Sequence, residues 1–122
     1  MDRWLIYESI PHSMEVHISD RLKYLSSEKD CRRKQGPERA KKIFQRLNEL
    51  TAAHALEDLR NMPGHWHELK HDRKGQFAVD LIQPYRMIFL PVGDPAKYVE
   101  NGSFVWSKIE SVQIIEVTDY HD

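Results

Sequence analysis

Between His65 and Gly75 the chain reads H-W-H-E-L-K-H-D-R-K-G: three histidines, two lysines, one arginine and two acids around only two large apolar side chains. Such a segment adds little to a core and is rich in groups that exchange protons near neutral pH and hold anions. Tyr85-Arg86 and, at the C-terminal end, Asp119-Tyr120-His121 add further groups of the same kind. Two chemistries are open to them. His65, His67 and His71 are good zinc or nickel ligands, but Lys70, Arg73 and Lys74 repel a divalent cation and the spacing fits no standard site, so no metal or other cofactor is expected. Cleaving RNA through its own 2′-hydroxyl needs instead a base for that hydroxyl, an acid for the leaving 5′-oxygen and fixed cations around a phosphorane-like transition state. Two histidines, a lysine and two arginines suffice for this without metal, and the ordinary histidine pKa of about 6.5 suits either proton role. Singly, each histidine reads as an exposed residue at a helix-to-sheet junction; the cluster is what points to chemistry.

These groups sit in a chain of 122 residues, a length that suits one domain, with 40% hydrophobic and 30% charged residues as in ordinary soluble globules. Its one cysteine, Cys31, rules out an internal disulfide and suits a reducing cytoplasm. No apolar run approaches the roughly 20 residues of a membrane span, and Trp4-Leu5-Ile6-Tyr7 is too short for a signal-peptide core, so a cytoplasmic protein without a membrane partner is expected. The net charge of −1 conceals an asymmetry. Arg32, Arg33, Lys34, Arg39, Lys41, Lys42 and Arg46 face one acid, Glu38, within a single stretch, whereas the chain from Val92 onward is acidic. A polyanion can therefore bind locally, although a charge run is more often a solvated helix face.

Residues 1–13 read as an N-terminal extension, and 14–122 as one domain. Glu15 to Ile18 is a short strand candidate by its alternation. Ser19 or Asp20 can cap a first helix to about Lys34, with Leu22, Leu25 and Cys31 on its apolar face. Gly36-Pro37 stops that helix and starts a second, about Pro37 to Ala53, whose Ala40, Ile43, Phe44, Leu47 and Leu50 share one face while Lys41, Lys42, Gln45, Arg46 and Glu49 cover the rest. A short helical piece spans His54 to Arg60, and Pro63-Gly64 ends the helical half. Strands follow at Gln76–Leu81, with Phe77, Val79 and Leu81 on one side, at Tyr85–Leu90, the more central, and at Ser111–Tyr120. The loop from Val92 to Lys108 has room for a small hairpin at Asn101-Gly102. Helices segregated from strands imply an α+β fold, two N-terminal helices on one face of a mostly antiparallel sheet, with the other face free to bind. Residues three apart in a strand face opposite ways, so His67 and Lys70 share a site only if the backbone is irregular there, and the same holds for Tyr120 and His121.

The segments L-R-N-M-P-G-H-W-H-E-L-K-H-D-R-K-G-Q-F-A-V-D-L, P-Y-R-M-I-F and W-S-K-I-E-S-V-Q-I-I-E-V-T-D-Y-H resemble the HigB-like toxins of the RelE/ParE superfamily, the killer components of plasmid-maintenance, type II toxin–antitoxin modules. The resemblance runs from about Met14 to His121. It implies a RelE-like fold with a curved sheet, and a metal-independent endoribonuclease that cuts mRNA in the ribosomal A site and inhibits translation. It also implies a cognate helix-turn-helix antitoxin, through which alone operator DNA is contacted. Carried over by position, His67, Lys70, Arg86, Asp119, Tyr120 and His121 are the catalytic candidates. Arg86 would grip the scissile phosphate through its planar guanidinium, and Lys70 would add charge there. His67 and His121 would form the proton-transfer pair, Asp119 would orient a histidine, and Tyr120 would stack on a base or position the 2′-hydroxyl. Arg73 and Lys74 would contact neighbouring phosphates, and the basic stretch from Arg32 to Arg46 would dock on ribosomal RNA. His65 and His71 fall outside the pattern and read as solvent-facing; Trp66, Phe77, Phe89 and Trp106 read as packing. The alternatives are a ParE-like toxin that binds DNA gyrase without cutting RNA, and an inactive homologue that serves as operon co-regulator.

Overall fold

The computed structural model describes residues 4–6, as backbone, and residues 13–119. In chain order its elements are β1 (Trp4–Ile6), β2 (Glu15–Ser19), a 3-10 turn (Asp20–Ser26), α1 (Glu28–Gln35), α2 (Pro37–Ala52), β3 (His67–Glu68), β4 (Phe77–Asp80), β5 (Arg86–Pro91), a hairpin of β6 (Val99–Glu100) and β7 (Ser103–Phe104), and β8 (Ser111–Thr118). The main sheet runs β1-β2-β8-β5-β4-β3 and is antiparallel except for the β2–β8 pair. The fold is therefore α+β, with two N-terminal helices ahead of a mostly antiparallel sheet. Among the described residues no helix is long and apolar enough to cross a membrane.

Local chemistry explains most boundaries. Gly36 takes φ +83, donates its N–H to the Arg32 carbonyl at 2.9 Å, and is followed by Pro37 as the first residue of α2. Asn101 and Gly102 both have positive φ, as a two-residue hairpin requires, and they join β6 to β7. β5 lies inside the sheet between β8 and β4. The first predicted helix, by contrast, is two pieces. Asp20–Ser26 is 3-10 with a kink at Leu22, and Ser19 caps nothing; its hydroxyl accepts from Gln113 Nε2. The α-helix starts anew after Ser27, whose Oγ accepts from the Asp30 amide, with Glu28 and Asp30 complementing the helix dipole. The N-terminal extension is also not separate from the sheet: Trp4, Leu5 and Ile6 pair with Ser19, Ile18 and His17 along its edge.

The helices cover one sheet face. Leu22, Leu25 and Cys31, with Ala40, Ile43, Leu47 and Leu50 of α2, bury against Phe77, Val79, Met87, Phe89, Val112 and Ile114. Phe77 stacks on Phe89 and meets Trp106 edge-on, and Trp66 meets Phe89 edge-on, so the aromatics expected to pack do so. One member of the core is charged. Arg46, expected among the exposed RNA-binding cations of α2, is only 5% exposed. Its Nε donates to the Asp80 carbonyl at 2.9 Å, and its Nη1 donates to the Pro63 carbonyl at 3.2 Å and the Glu49 carboxylate at 2.9 Å. All three are acceptors that its removal would strand, so Arg46 serves the fold and not a nucleic-acid surface. Arg46→Met is expected to cost about 3 kcal/mol in urea unfolding. A loss no larger than that of the exposed control Lys41→Met would contradict the assignment.

Candidate functional site

The sheet face opposite the helices carries a small apolar strip of Leu69, Ala78 and Ile88, with Ile115 packed against it. Cross-strand pairing fixes which polar residues share this face. His67 pairs with Ala78, Asp80 pairs with Arg86, and Ala78 pairs with Ile88, so His67, Asp80 and Arg86 lie on the strip's side. β8 joins them through a bulge. Phe89 pairs with Ile114 but Ile88 with Glu116, which makes Ile115 the extra residue. Ile114 faces the main core, whereas Ile115 packs on the strip and Glu116 is the partner of Ile88. The bulge thus reverses the alternation, and Thr118 arrives opposite Arg86 on the helix-free face, with exposed Asp119 next to it.

Each arginine of this face has a carboxylate beside it. Arg86 Nε stands 3.4 Å from Asp80 Oδ1, and both side chains are mostly buried, at 14% and 22% exposure. Among the described residues, neither of those atoms nor Arg86 Nη1 completes a hydrogen bond. Arg73 folds back over the strip from the turn after β3; its Nη1 lies 2.8 Å from Glu116 Oε1 and donates to Gln76 Oε1 at 3.0 Å. Arg73, expected to contact phosphates, is therefore engaged with Glu116 and Gln76.

His67 is held by His65, a residue outside the pattern carried over from the family. Its Nδ1 lies 2.7 Å from the His65 carbonyl, and the two imidazoles stack with centroids 3.9 Å apart and planes 12° from parallel. A carbonyl only accepts, so Nδ1 is the nitrogen that donates the proton of this bond. The geometry depends on an unusual backbone: Gly64 at φ +124 is followed by His65 at φ +54. The expected irregularity between His67 and Lys70 is present, because β3 ends at Glu68 and Lys70 opens a 3-10 turn over His71–Arg73 in which His71 has φ +54. Lys70, His71 and Lys74 are exposed at this turn. Glu68, one residue from His67, faces the opposite way and accepts from Trp106 Nε1.

The remaining predicted residues lie elsewhere. Arg32, Arg33, Lys34 and Lys41 are exposed, and Lys42 half-buried, on the helical layer, across the sheet from His67 and Arg86. Arg32 lies 3.2 Å from Glu28, Arg33 pairs with Asp30, and Lys34 rests over the Tyr24 ring. Arg39 stacks on Tyr85, 3.5 Å from the ring centroid, and bonds Gln35. Cys31 is fully buried and burial pushes its thiol up to about 11, so it is a packed thiol at neutral pH and not a nucleophile. Among the described residues no three histidine, cysteine or acidic side chains gather into a metal-binding group. Tyr120 and His121 lie outside the described residues. The structure thus brings a guanidinium and an imidazole onto one sheet face, two strands across and two residues along, about 12 Å between backbones, with Thr118 opposite the guanidinium.

No protein-family profile, curated protein sequence or solved structure matches the chain.

The His67 contact makes a direct prediction. In its neutral form His67 is expected as the Nδ1–H tautomer, read from the 15N shifts of its ring, and a dominant Nε2–H tautomer would contradict the geometry.

Proposed function

We propose that this chain is a HigB-like toxin of a type II toxin–antitoxin module: a ribosome-dependent endoribonuclease that cuts mRNA in the cytoplasm and is held in check by a helix-turn-helix antitoxin. The observation that carries the reading is the gathering of Arg86 from β5 and His67 from β3 on the helix-free sheet face, with Thr118 of β8 opposite Arg86. His67 and Arg86 are two of the positions to which the resemblance to the family assigns function, and they are distant in sequence.

In the proposed reaction the mRNA's own 2′-hydroxyl is the nucleophile. One histidine takes its proton, O2′ bonds to phosphorus, the P–O5′ bond breaks, and the leaving O5′ takes a proton from the second histidine. The products are a 2′,3′-cyclic phosphate and a 5′-hydroxyl. His67 acts through Nε2, since Nδ1 is engaged with the His65 carbonyl. His121 is assigned the complementary proton. Arg86 grips the phosphate and offsets the charge that builds on its oxygens, with Lys70 adding a longer-range positive field. Asp119 orients a histidine and Tyr120 positions the nucleotide. The chemistry is assigned to side chains alone.

The test is induction of the full chain in a bacterium with mapping of RNA 5′ ends. Codon-phased cuts in translated messages are expected, falling at least 100-fold in Arg86→Ala, a loss typical of removing a charge-stabilising group. Cuts that persist in Arg86→Ala would overturn the site, and DNA damage dependent on gyrase without RNA cuts would move the chain to the gyrase-binding class.

A further inference from the structure

Asp80 is given no role by the resemblance, yet it is the carboxylate paired with Arg86 among the described residues. The two are cross-strand partners, with Asp80 Oδ1 3.4 Å from Arg86 Nε. The pair is close enough to cancel charge but is not aligned as a hydrogen bond, and Arg86 Nη1 is likewise without a partner among the described residues. Asp80 cannot withdraw by a shift of its strand. Its amide donates to the Gly64 carbonyl at 2.8 Å, and its carbonyl accepts from Arg46 Nε at 2.9 Å. Of the other charges near this face, Arg73 is matched by Glu116, and Lys70, Lys74 and Asp119 are exposed to solvent, where screening weakens their reach.

The Arg86–Asp80 pair has hydrogen-bond donors to offer but little net charge. A ligand is then selected by its own charge. An internal phosphodiester carries one negative charge, whereas a phosphomonoester, whose second pKa is about 6, carries nearly two at neutral pH. Both can use the guanidinium's donors, but Asp80's repulsion cancels much of what the monoester's second charge gains from Arg86, and the dianion costs more to desolvate.

We propose that Asp80 is a specificity-determining residue that makes the Arg86 site accept internal phosphodiesters and reject phosphomonoesters and free phosphate. The inference rests on the reading of Arg86 as the phosphate-binding group. It fits a site that must take a message from within, not by its ends. It also fits the chemistry of the cut, whose cyclic product is again a singly charged diester.

The experiment measures binding to the full chain at neutral pH of two probes, a 2′-deoxy dinucleoside monophosphate with one internal diester and a nucleoside 3′-monophosphate. Wild type, Asp80→Asn and Arg86→Ala are compared; Asp80→Asn keeps the side-chain shape and both backbone bonds. Wild type is expected to favour the diester. Asp80→Asn should tighten monoester binding about tenfold more than diester binding. Arg86→Ala should weaken both probes. Equal effects of Asp80→Asn on the two probes, or none, would overturn the role of Asp80 while leaving the Arg86 reading intact. Unchanged binding in Arg86→Ala would instead overturn the phosphate reading itself, and the proposal with it.

Discussion

The guanidinium of Arg46 ties together the parts of this molecule that the functional face needs. One side chain from α2 holds the Pro63 carbonyl just before β3 and the Asp80 carbonyl at the end of β4. The first contact sets the approach to Gly64, His65 and His67; the second fixes the residue opposite Arg86. Gly64 makes the arrangement possible. A Cβ there would stand 2.9 Å from Arg46 Cζ and 3.0 Å from Val79 Cγ2, and its φ of +124 belongs to glycine alone. A cation buried on the helix side of the sheet thus positions groups displayed on the other side.

The bulge at Ile115 is the second constraint. A strand alternates strictly, so a β8 that kept Ile115 in regular register, without the bulge, would turn Glu116 and Thr118 toward the core. With it, Ile115 seals the apolar strip, Glu116 meets Arg73, and Thr118 meets Arg86. Arg21, from the turn after β2, donates to the Ile115 carbonyl, so the bulge's own backbone is satisfied from the helical side.

Much of the fold was legible because it is written in local periodicity. Ala40, Ile43, Leu47 and Leu50 repeat at helical spacing, Phe77 and Val79 alternate, and Asn101-Gly102 is a turn pair wherever it falls. What was not legible depends on partners far along the chain. Arg46 reads like any surface cation until Pro63 and Asp80, 17 and 34 residues away, are brought to it, although its place three residues after Ile43 and four before Leu50 sets it at the edge of the apolar stripe. The Ser26-Ser27 pair signalled a helix start that the longer hydrophobic pattern masked. Trp4–Ile6 has too few residues to show a period, and only pairing with β2 reveals it. At the candidate site the sequence pointed to His67 and Arg86, which share a face, but not to what His65 and Asp80 do there, because those roles are set by a carbonyl direction and a cross-strand neighbour.

The two charged regions of the molecule are therefore of different kinds. The helical layer pairs Arg32 with Glu28 and Arg33 with Asp30 but also offers Lys34, Lys41 and Lys42 at its surface, while the helix-free face matches Arg86 with Asp80 and Arg73 with Glu116. The first suits general attraction to a polyanion, the second a single diester held in a defined orientation. This division is tested most directly by mapping amide chemical shifts while the full chain is titrated with a short single-stranded RNA analogue lacking 2′-hydroxyls. The account predicts that perturbations centre on His67, Asp80, Arg86 and Thr118–Asp119. Perturbations confined to α1 and α2, with the helix-free face unmoved, would contradict it.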